Sequence, residues 1–433
     1  MNLPEISPRD PRHFGRRRIQ NDDARPGDVR TPYQRDRARI IHSAAFRRLQ
    51  GKTQVMGVGE GDYHRTRLTH SIECAQICVG LLDTLHRSTQ QLPPDVSTWL
   101  PERDLAEAAC FAHDLGHPPF GHGGERALHS EMGQHGGFEG NGQTLRIIAR
   151  LEKYGVKGGG IDPTRRLVLA VLKYPAPYSE FVFNPMHPPK CYFDEENSIV
   201  NWALDGLSEH DRLRFPERSV DGKTKYKTFD CSLMEIADDI AYGIHDIEDI
   251  VARRLVDRDE ISHALTDAFA QIGGTLTSGL ISLSASSVES ALYSNSRDRK
   301  QIVSMLVNAM VTSVRVVQDS NFEHPLLSLQ AKLGSPEEKL LEKLKKFAFE
   351  LVVRRARVQQ LEHRGQWIVS KLFQALSAQP EQLIPSNSWT EGETDATQER
   401  RVCDYVAGMT DAYAEKIYSR FYLPGFGSSS DEL

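Results

Sequence analysis

The segment FAHDLGHPPFGHGGE, residues 111–125, gathers His113, Asp114, His117, His122 and Glu125 around a Gly/Pro-rich turn. Imidazole nitrogens and carboxylate oxygens bind first-row divalent ions, and imidazole also exchanges protons near neutral pH. Packing alone gives no reason to collect three histidines and two carboxylates between His113 and Glu125. An adjacent His-Asp pair is weak by itself, because it arises by chance in many chains. Position strengthens it: the pair ends an apolar helix that Gly116, Pro118 and Pro119 stop, and such turns leave a ligand access to the backbone. A divalent ion takes roughly three to six nitrogen or oxygen ligands from elements distant in sequence. His70, in RLTHSIE, is the candidate third ligand, and Asp238, in SLMEIADDIAYGIHDIED, the fourth. On the latter helix Asp238, Tyr242 and Asp246 recur every four residues and project along nearly one face. An amphipathic helix with a solvated acidic face would produce the same spacing.

The elements that must position these groups read as helices. Leu68, Ile72, Ala75, Val79 and Leu82 recur at steps of four and three and mark one buried face. A helix over about 101–115 carries the His-Asp pair, and another over about 230–256 has Leu233, Ala237, Ile240, Ile244, Ile247 and Val251 on its apolar stripe. Weaker helical segments fall near 260–320. A long charged helix follows Ser335-Pro336-Glu337-Glu338, with Ser335 as N-cap and proline at the first helical position. A last helix occupies about 398–422. Residues 156–162, 184–198 and 380–397 read as loops, and the SSSDEL tail as frayed. No internal repeat and no convincing strand run is present, so the expected fold class is all-α. Residues 1–30, rich in Pro, Arg, Asp and Asn without periodicity, read as a loose arm. The expected organisation is a flexible arm over 1–35, a catalytic core over 36–255, and a C-terminal helical region over 256–433 that packs on the core or forms an oligomer interface.

Composition narrows the class. Hydrophobic residues make up 39% and charged residues 26% of the 433, ordinary proportions for a soluble globular chain. No run approaches the roughly 18 apolar residues of a spanning helix, and the N-terminus lacks the apolar stretch of a secretory signal, so a membrane protein is excluded and a cytoplasmic location expected. The six cysteines are scattered; Cys74 and Cys78 lie one helical turn apart, but no second pair completes a zinc site of familiar spacing. Reduced, buried thiols are the expectation. A net charge of -6 argues against a general polyanion binder. Arginine is nevertheless dense between Arg12 and Arg67, and a local basic wall suits a phosphate-bearing ligand better than long duplex DNA.

The ordered set of HRTRLTHS, HDLGHPPFGHGGE and MEIADDIAYGIHD resembles the HD-domain superfamily, and more narrowly the bacterial deoxyguanosinetriphosphate triphosphohydrolases and the related human SAM- and HD-domain dNTP hydrolase. AFRRLQGKTQV (45–55), GFEGNGQTLRI (137–147), VLKYP (171–175) and VCDYVAGMTDAYA (402–414) extend the resemblance over about 36–420. It implies an HD-domain helical core with metal ligation by His70, His113, Asp114 and Asp238. The same resemblance places His122 and Glu125 beside the scissile phosphoester as the catalytic pair, and Arg67 and Lys173 on the phosphates. Gln54, Tyr242 and Asp246 would read the sugar, the tyrosine ring leaving no room for a 2′-hydroxyl. Asp239 stands where the human relative has a basic residue, which puts a phosphate contact there in doubt. His117 fits a hydrogen-bonding or substrate-side role better than ligation; Asn141 is explained equally well as a helix cap. The mixed N/O shell suits one Mn²⁺, Mg²⁺, Fe²⁺, Co²⁺ or Ni²⁺ per site.

The implied reaction is hydrolysis of a dNTP, dGTP or others, to deoxynucleoside and tripolyphosphate. Competing readings are an HD-type nucleotidase or phosphodiesterase of another nucleotide, and a nucleic-acid- or nucleotide-binding oligomer in which hydrolysis is secondary. The partners implied are a dNTP substrate, a dNTP or single-stranded DNA effector, and further copies of the chain in a homo-oligomer.

Overall fold

Apolar residues at helical spacing dominate the chain, and the computed structural model is accordingly 64% helix and 6% strand, an all-α fold with minor hairpins. It describes residues 7–19, 27–54, 65–88, 94–154, 159–350, 355–386 and 397–427. The SSSDEL tail and residues 387–396 of the expected loop lie outside that set. The chain divides into two compact units: Met1–Ser71, Phe111–Lys227 and Gln360–Leu433 in the first, and Ile72–Cys110 and Thr228–Gln359 in the second.

The first unit is built on helices Pro32–Ile41, Gly121–Glu131, Gly140–Arg146, Arg165–Val171, Asn197–Leu204, Gln398–Ala407 and Asp411–Tyr422, with Ala356–Ala378 entering it at Gln360. Its core includes Leu128, Phe138, Phe193, Leu372, Val402 and Ile417, all buried. Each such side chain contributes about 1.5–3 kcal/mol when removed from water. A buried ionic cluster ties distant segments together: Arg146 lies 3.1 Å from Glu196 and 2.8 Å from Asp404.

In the second unit helix Phe229–Ile240 continues through a π-helical turn, Ala241–His245, into Asp246–Ala252. Its stripe Leu233, Ala237, Ile240, Ile244, Ile247 and Val251 is buried throughout, as its periodicity predicts. Helix Ser335–Ala348 packs on the π turn, and Gly243 permits the approach: a Cβ there would come 2.7 Å from Leu341 Cδ1.

Several boundaries differ from the sequence reading. The helix expected over 101–115 spans Arg103–Ala112, so His113 and Asp114 fall in the turn beyond it. The helix expected over 398–422 is two, broken between Ala407 and Asp411, because Thr410 caps the second by accepting from Tyr413 N. Gly334, not Ser335, is the N-cap of the charged helix, and Ile72 is 49% exposed although it falls on the expected buried stripe. Among the described residues two short antiparallel pairs interrupt the helices, Thr275–Ser278 with Ile281–Ser284 and Arg315–Gln318 with Leu329–Lys332. Four-residue strands are too short for alternation to register in the sequence. Part of the stretch read as a loose arm is packed: Phe14 is fully buried, and Arg17 makes a 2.6 Å ion pair with buried Asp36. All six cysteines are buried. No helix among the described residues is long and apolar enough to cross a membrane.

Candidate metal centre and acid–base pair

The turn that carries His113 and Asp114 is fixed by backbone contacts. Gly116 N donates to Thr144 Oγ1 at 3.0 Å, and the same hydroxyl donates to the His113 carbonyl at 3.1 Å. Only glycine fits at 116, since a Cβ would lie 2.1 Å from the Gly140 carbonyl oxygen. Lys52, buried, donates its ammonium protons to the carbonyls of His117 and Ala407. Burial, with the charge of Arg67 beside it, pushes that ammonium down to about 7.

His70, His113 and Asp238 form a group that could hold a metal ion. The two imidazole rings are 5.5 Å apart, and both residues are buried. Two imidazoles and one carboxylate suit a divalent transition ion, so a candidate His70/His113/Asp238 metal site is present. Asp114, the fourth expected ligand, falls outside this group. One of its oxygens sits 2.8 Å from Arg67 Nη1, the other 3.0 Å from His117 Nδ1 and 3.5 Å from His113 Nε2. Burial alone would raise this carboxyl, but His117, Arg67 and His113 outweigh it and hold it well below the usual carboxylate range. Burial and the Arg67 charge push His117 down to about 4, making it a neutral ring beside a carboxylate. Arg67, expected on phosphates, is thus engaged with Asp114.

Helix Gly121–Glu131 starts at Phe120, a non-glycine residue with φ of 61° and no side-chain cap. Within its first turn, His122 Nδ1 lies 3.0 Å from Glu125 Oε2. The His122 side chain is 64% exposed and that of Glu125 6%. Glu125 Oε1 accepts from Gly140 N at 3.0 Å and lies 3.6 Å from Lys190 Nζ. Burial would raise the Glu125 carboxyl; Lys190 and His122 reverse this and hold it well below its ordinary range. Lys190 also donates to buried Glu139 at 2.8 Å, and its ammonium is pushed up by those two carboxylates against the effect of burial. Glu139, rather than Asn141, caps helix Gly140–Arg146 by accepting from Gly142 N. Sequence reasoning missed Lys190 and Lys52. Lys190 is a single lysine outside every quoted motif, and Lys52, although inside the segment AFRRLQGKTQV, carries no local signal that distinguishes it from a surface lysine.

The remaining expected residues are placed as follows. Gln54 is half-buried, its Oε1 without a hydrogen-bond partner among the described residues. Lys173 is half-buried just beyond helix Arg165–Val171. On the helix of Asp238, Tyr242 is half-buried and Asp246 buried, so this face is not simply solvated. Burial, then the carboxylates of Asp246 and Asp238, push the Tyr242 phenol up to about 12. Asp239 bonds Lys345 Nζ at 2.5 Å, so a cation stands next to that position although the residue itself is acidic.

Residues 67–167 match the HD domain, and residues 332–420 match the phosphohydrolase-associated domain. The chain is 41% identical to a deoxyguanosinetriphosphate triphosphohydrolase-like protein of Shewanella baltica, over 95% of this chain and 97% of that protein. Similarly named proteins of Shewanella sediminis and Shewanella halifaxensis are 41% and 40% identical, over 95% and 96% of this chain and 96% and 97% of theirs.

Proposed function

From the premise that the chain belongs to the deoxyguanosinetriphosphate triphosphohydrolase-like family of HD-domain phosphohydrolases, we propose that it hydrolyses deoxynucleoside triphosphates, dGTP among them, to deoxynucleoside and tripolyphosphate. The observation that carries this reading is the 3.0 Å His122–Glu125 pair, set on the helix that follows the turn bearing His113. The names of the relatives support the substrate class.

His70, His113 and Asp238 would hold the ion, with Asp114 as the fourth ligand; its carboxyl is held well below the usual range by His117, Arg67 and His113 against burial, which keeps it in the ligating form. A bound divalent ion neutralises phosphate charge and lowers the pKa of coordinated water. The chain's own residues do the rest. Water attacks the α-phosphorus, the bond to the 5′-oxygen breaks, and that oxygen leaves with the deoxynucleoside after taking a proton from His122. Glu125 accepts at Nδ1 of His122 and so fixes the ring with Nε2 toward the leaving oxygen. Exposure of His122 lets the ring regain its proton from solvent. Arg67 and Lys173 bind phosphates, while Gln54 and Asp246 bond the 3′ side of the sugar and the Tyr242 ring excludes a 2′-hydroxyl.

The test is to incubate the Mn²⁺-loaded protein with each dNTP and each ribonucleotide and to separate the products by chromatography. Deoxynucleoside and tripolyphosphate are expected from dNTPs alone, with activity lost on chelation and with both metal and activity lost in Asp238→Ala. Release of orthophosphate or pyrophosphate, or equal rates on GTP and dGTP, would instead support the nucleotidase reading.

A further inference from the structure

Asp411 is 5% exposed and is the first residue of helix Asp411–Tyr422. Its two carboxylate oxygens serve different segments. Oδ1 accepts from Phe120 N at 2.9 Å. Oδ2 accepts from Thr53 N at 3.0 Å and from the Thr53 hydroxyl. Phe120 is the left-handed residue that opens the helix of His122 and Glu125, a conformation that costs a side-chain-bearing residue about 1 kcal/mol or more and persists only where surrounding contacts hold it. Thr53 precedes Gln54 and forms an antiparallel bridge with Thr66, the neighbour of Arg67. The break between helices Gln398–Ala407 and Asp411–Tyr422 sets up this reach, and the chain packs tightly there, since a Cβ on Gly51 would lie 2.8 Å from Thr410 Cγ2.

We infer that Asp411 is a positioning residue for the reaction proposed above: one buried carboxylate fixes both the start of the acid–base helix and the segment that presents Gln54 and Arg67. The inference rests on that functional reading for its kinetic consequences, but not for its structural ones. A carboxylate suits the task because both backbone amides need an acceptor. Asparagine has the same shape with only one acceptor oxygen. Its amide group would face either Phe120 N–H or Thr53 N–H as donor against donor, leaving a half-buried backbone amide without an acceptor.

The experiment compares the full-length, metal-loaded wild type with Asp411→Asn and Thr53→Val. Amide hydrogen exchange in peptides covering Phe120 and Thr53 should speed up about tenfold or more in Asp411→Asn, while peptides over Arg165–Val171 keep their wild-type protection. In the same variant kcat per bound metal should fall about tenfold to hundredfold, the size expected when catalytic groups are displaced without being removed. Asp411→Glu, which keeps both oxygens, should recover part of that loss. Thr53→Val removes only the hydroxyl bond, so it should raise KM by several-fold with a smaller fall in kcat. It also provides the test if Asp411→Asn does not fold.

A role confined to stability predicts something else: a lower melting temperature with unchanged kcat and KM per metal-loaded site. That result, or unchanged exchange at Phe120, would overturn the inference. So would an unmoved KM in Thr53→Val. If the wild type turns over no deoxynucleotide, the functional reading fails by itself, and the exchange measurement alone then decides whether Asp411 holds the two segments.

Discussion

His122 and Glu125 differ most in their surroundings. His122 is open to water, whereas Glu125 is enclosed with Lys190 and the Gly140 amide on its second oxygen. Burial works to raise the Glu125 carboxyl, so its depressed value depends on Lys190 and His122. Replacing Lys190 with methionine should let burial prevail and move the acid limb of the kcat profile to higher pH; an unmoved limb would separate Lys190 from the proposed role of Glu125. The corresponding stability term has the sign of a depressed carboxyl: it is present above the unfolded carboxylate value, about 4.3, and is lost as pH falls through the folded one. His122→Ala and Glu125→Ala should each lose about 10²–10⁴ in turnover while retaining metal. The double variant should lose less than the product, since a pair acting as a unit is not additive. At this scale the sequence was informative where chemistry is compressed: His113, Asp114, His117, His122 and Glu125 share one segment. Lys190, outside every quoted motif, and Lys52 and Asp411, inside motifs that carry no metal-ligand or acid–base spacing, reach the same region from distant positions, and only the folded backbone brings them there.

Among the elements, the turn after helix Arg103–Ala112 is held by close backbone approach. Gly116→Ala would drive a methyl into the Gly140 carbonyl and the Thr144 amide, which are backbone atoms and cannot rotate away. It should lower stability by about 1–3 kcal/mol and displace His113, read as a fall in both melting temperature and metal affinity. In the helix of Asp238, steps of four residues overshoot a full α-turn by about 40°, and the wider π turn at Ala241–His245 offsets that drift. Asp238, Tyr242 and Asp246 therefore stay on one side of the helix, as their spacing suggested. Tyr242→Ala should relax the preference for deoxyribose over ribose more than it lowers metal content, measured as the ratio of kcat/KM for dGTP and GTP. Long helices with regular apolar stripes were legible because periodicity accumulates over several turns. The hairpins of four-residue strands were not, and neither was the helix break before Asp411, where Thr410 ends one pattern and caps the next. Nor could composition show that Arg17, in an arginine-rich stretch, is buried against Asp36.

Over the whole molecule, the family and the helical class were readable because the motifs recur in order along most of the chain, and the relatives match over 95% of it. The first unit alone draws on Lys52–Gln54, Arg67, His113–Glu125, Glu139–Thr144, Lys190 and Asp411 to build the surroundings of the His122–Glu125 pair. Stretches this far apart are held together by the Arg146–Asp404 and Arg146–Glu196 pairs, fully buried on the arginine side. Asp404→Ala should therefore destabilise the fold by about 3–5 kcal/mol, seen as a lowered midpoint in denaturant unfolding. The central claim is that water attacks the α-phosphorus of a dNTP. The most direct measurement is turnover of dGTP by the metal-loaded protein in ¹⁸O-labelled water, followed by mass spectrometry of both products. The account predicts one label in tripolyphosphate and none in deoxyguanosine; label in orthophosphate, in a nucleoside monophosphate or in the nucleoside would contradict it.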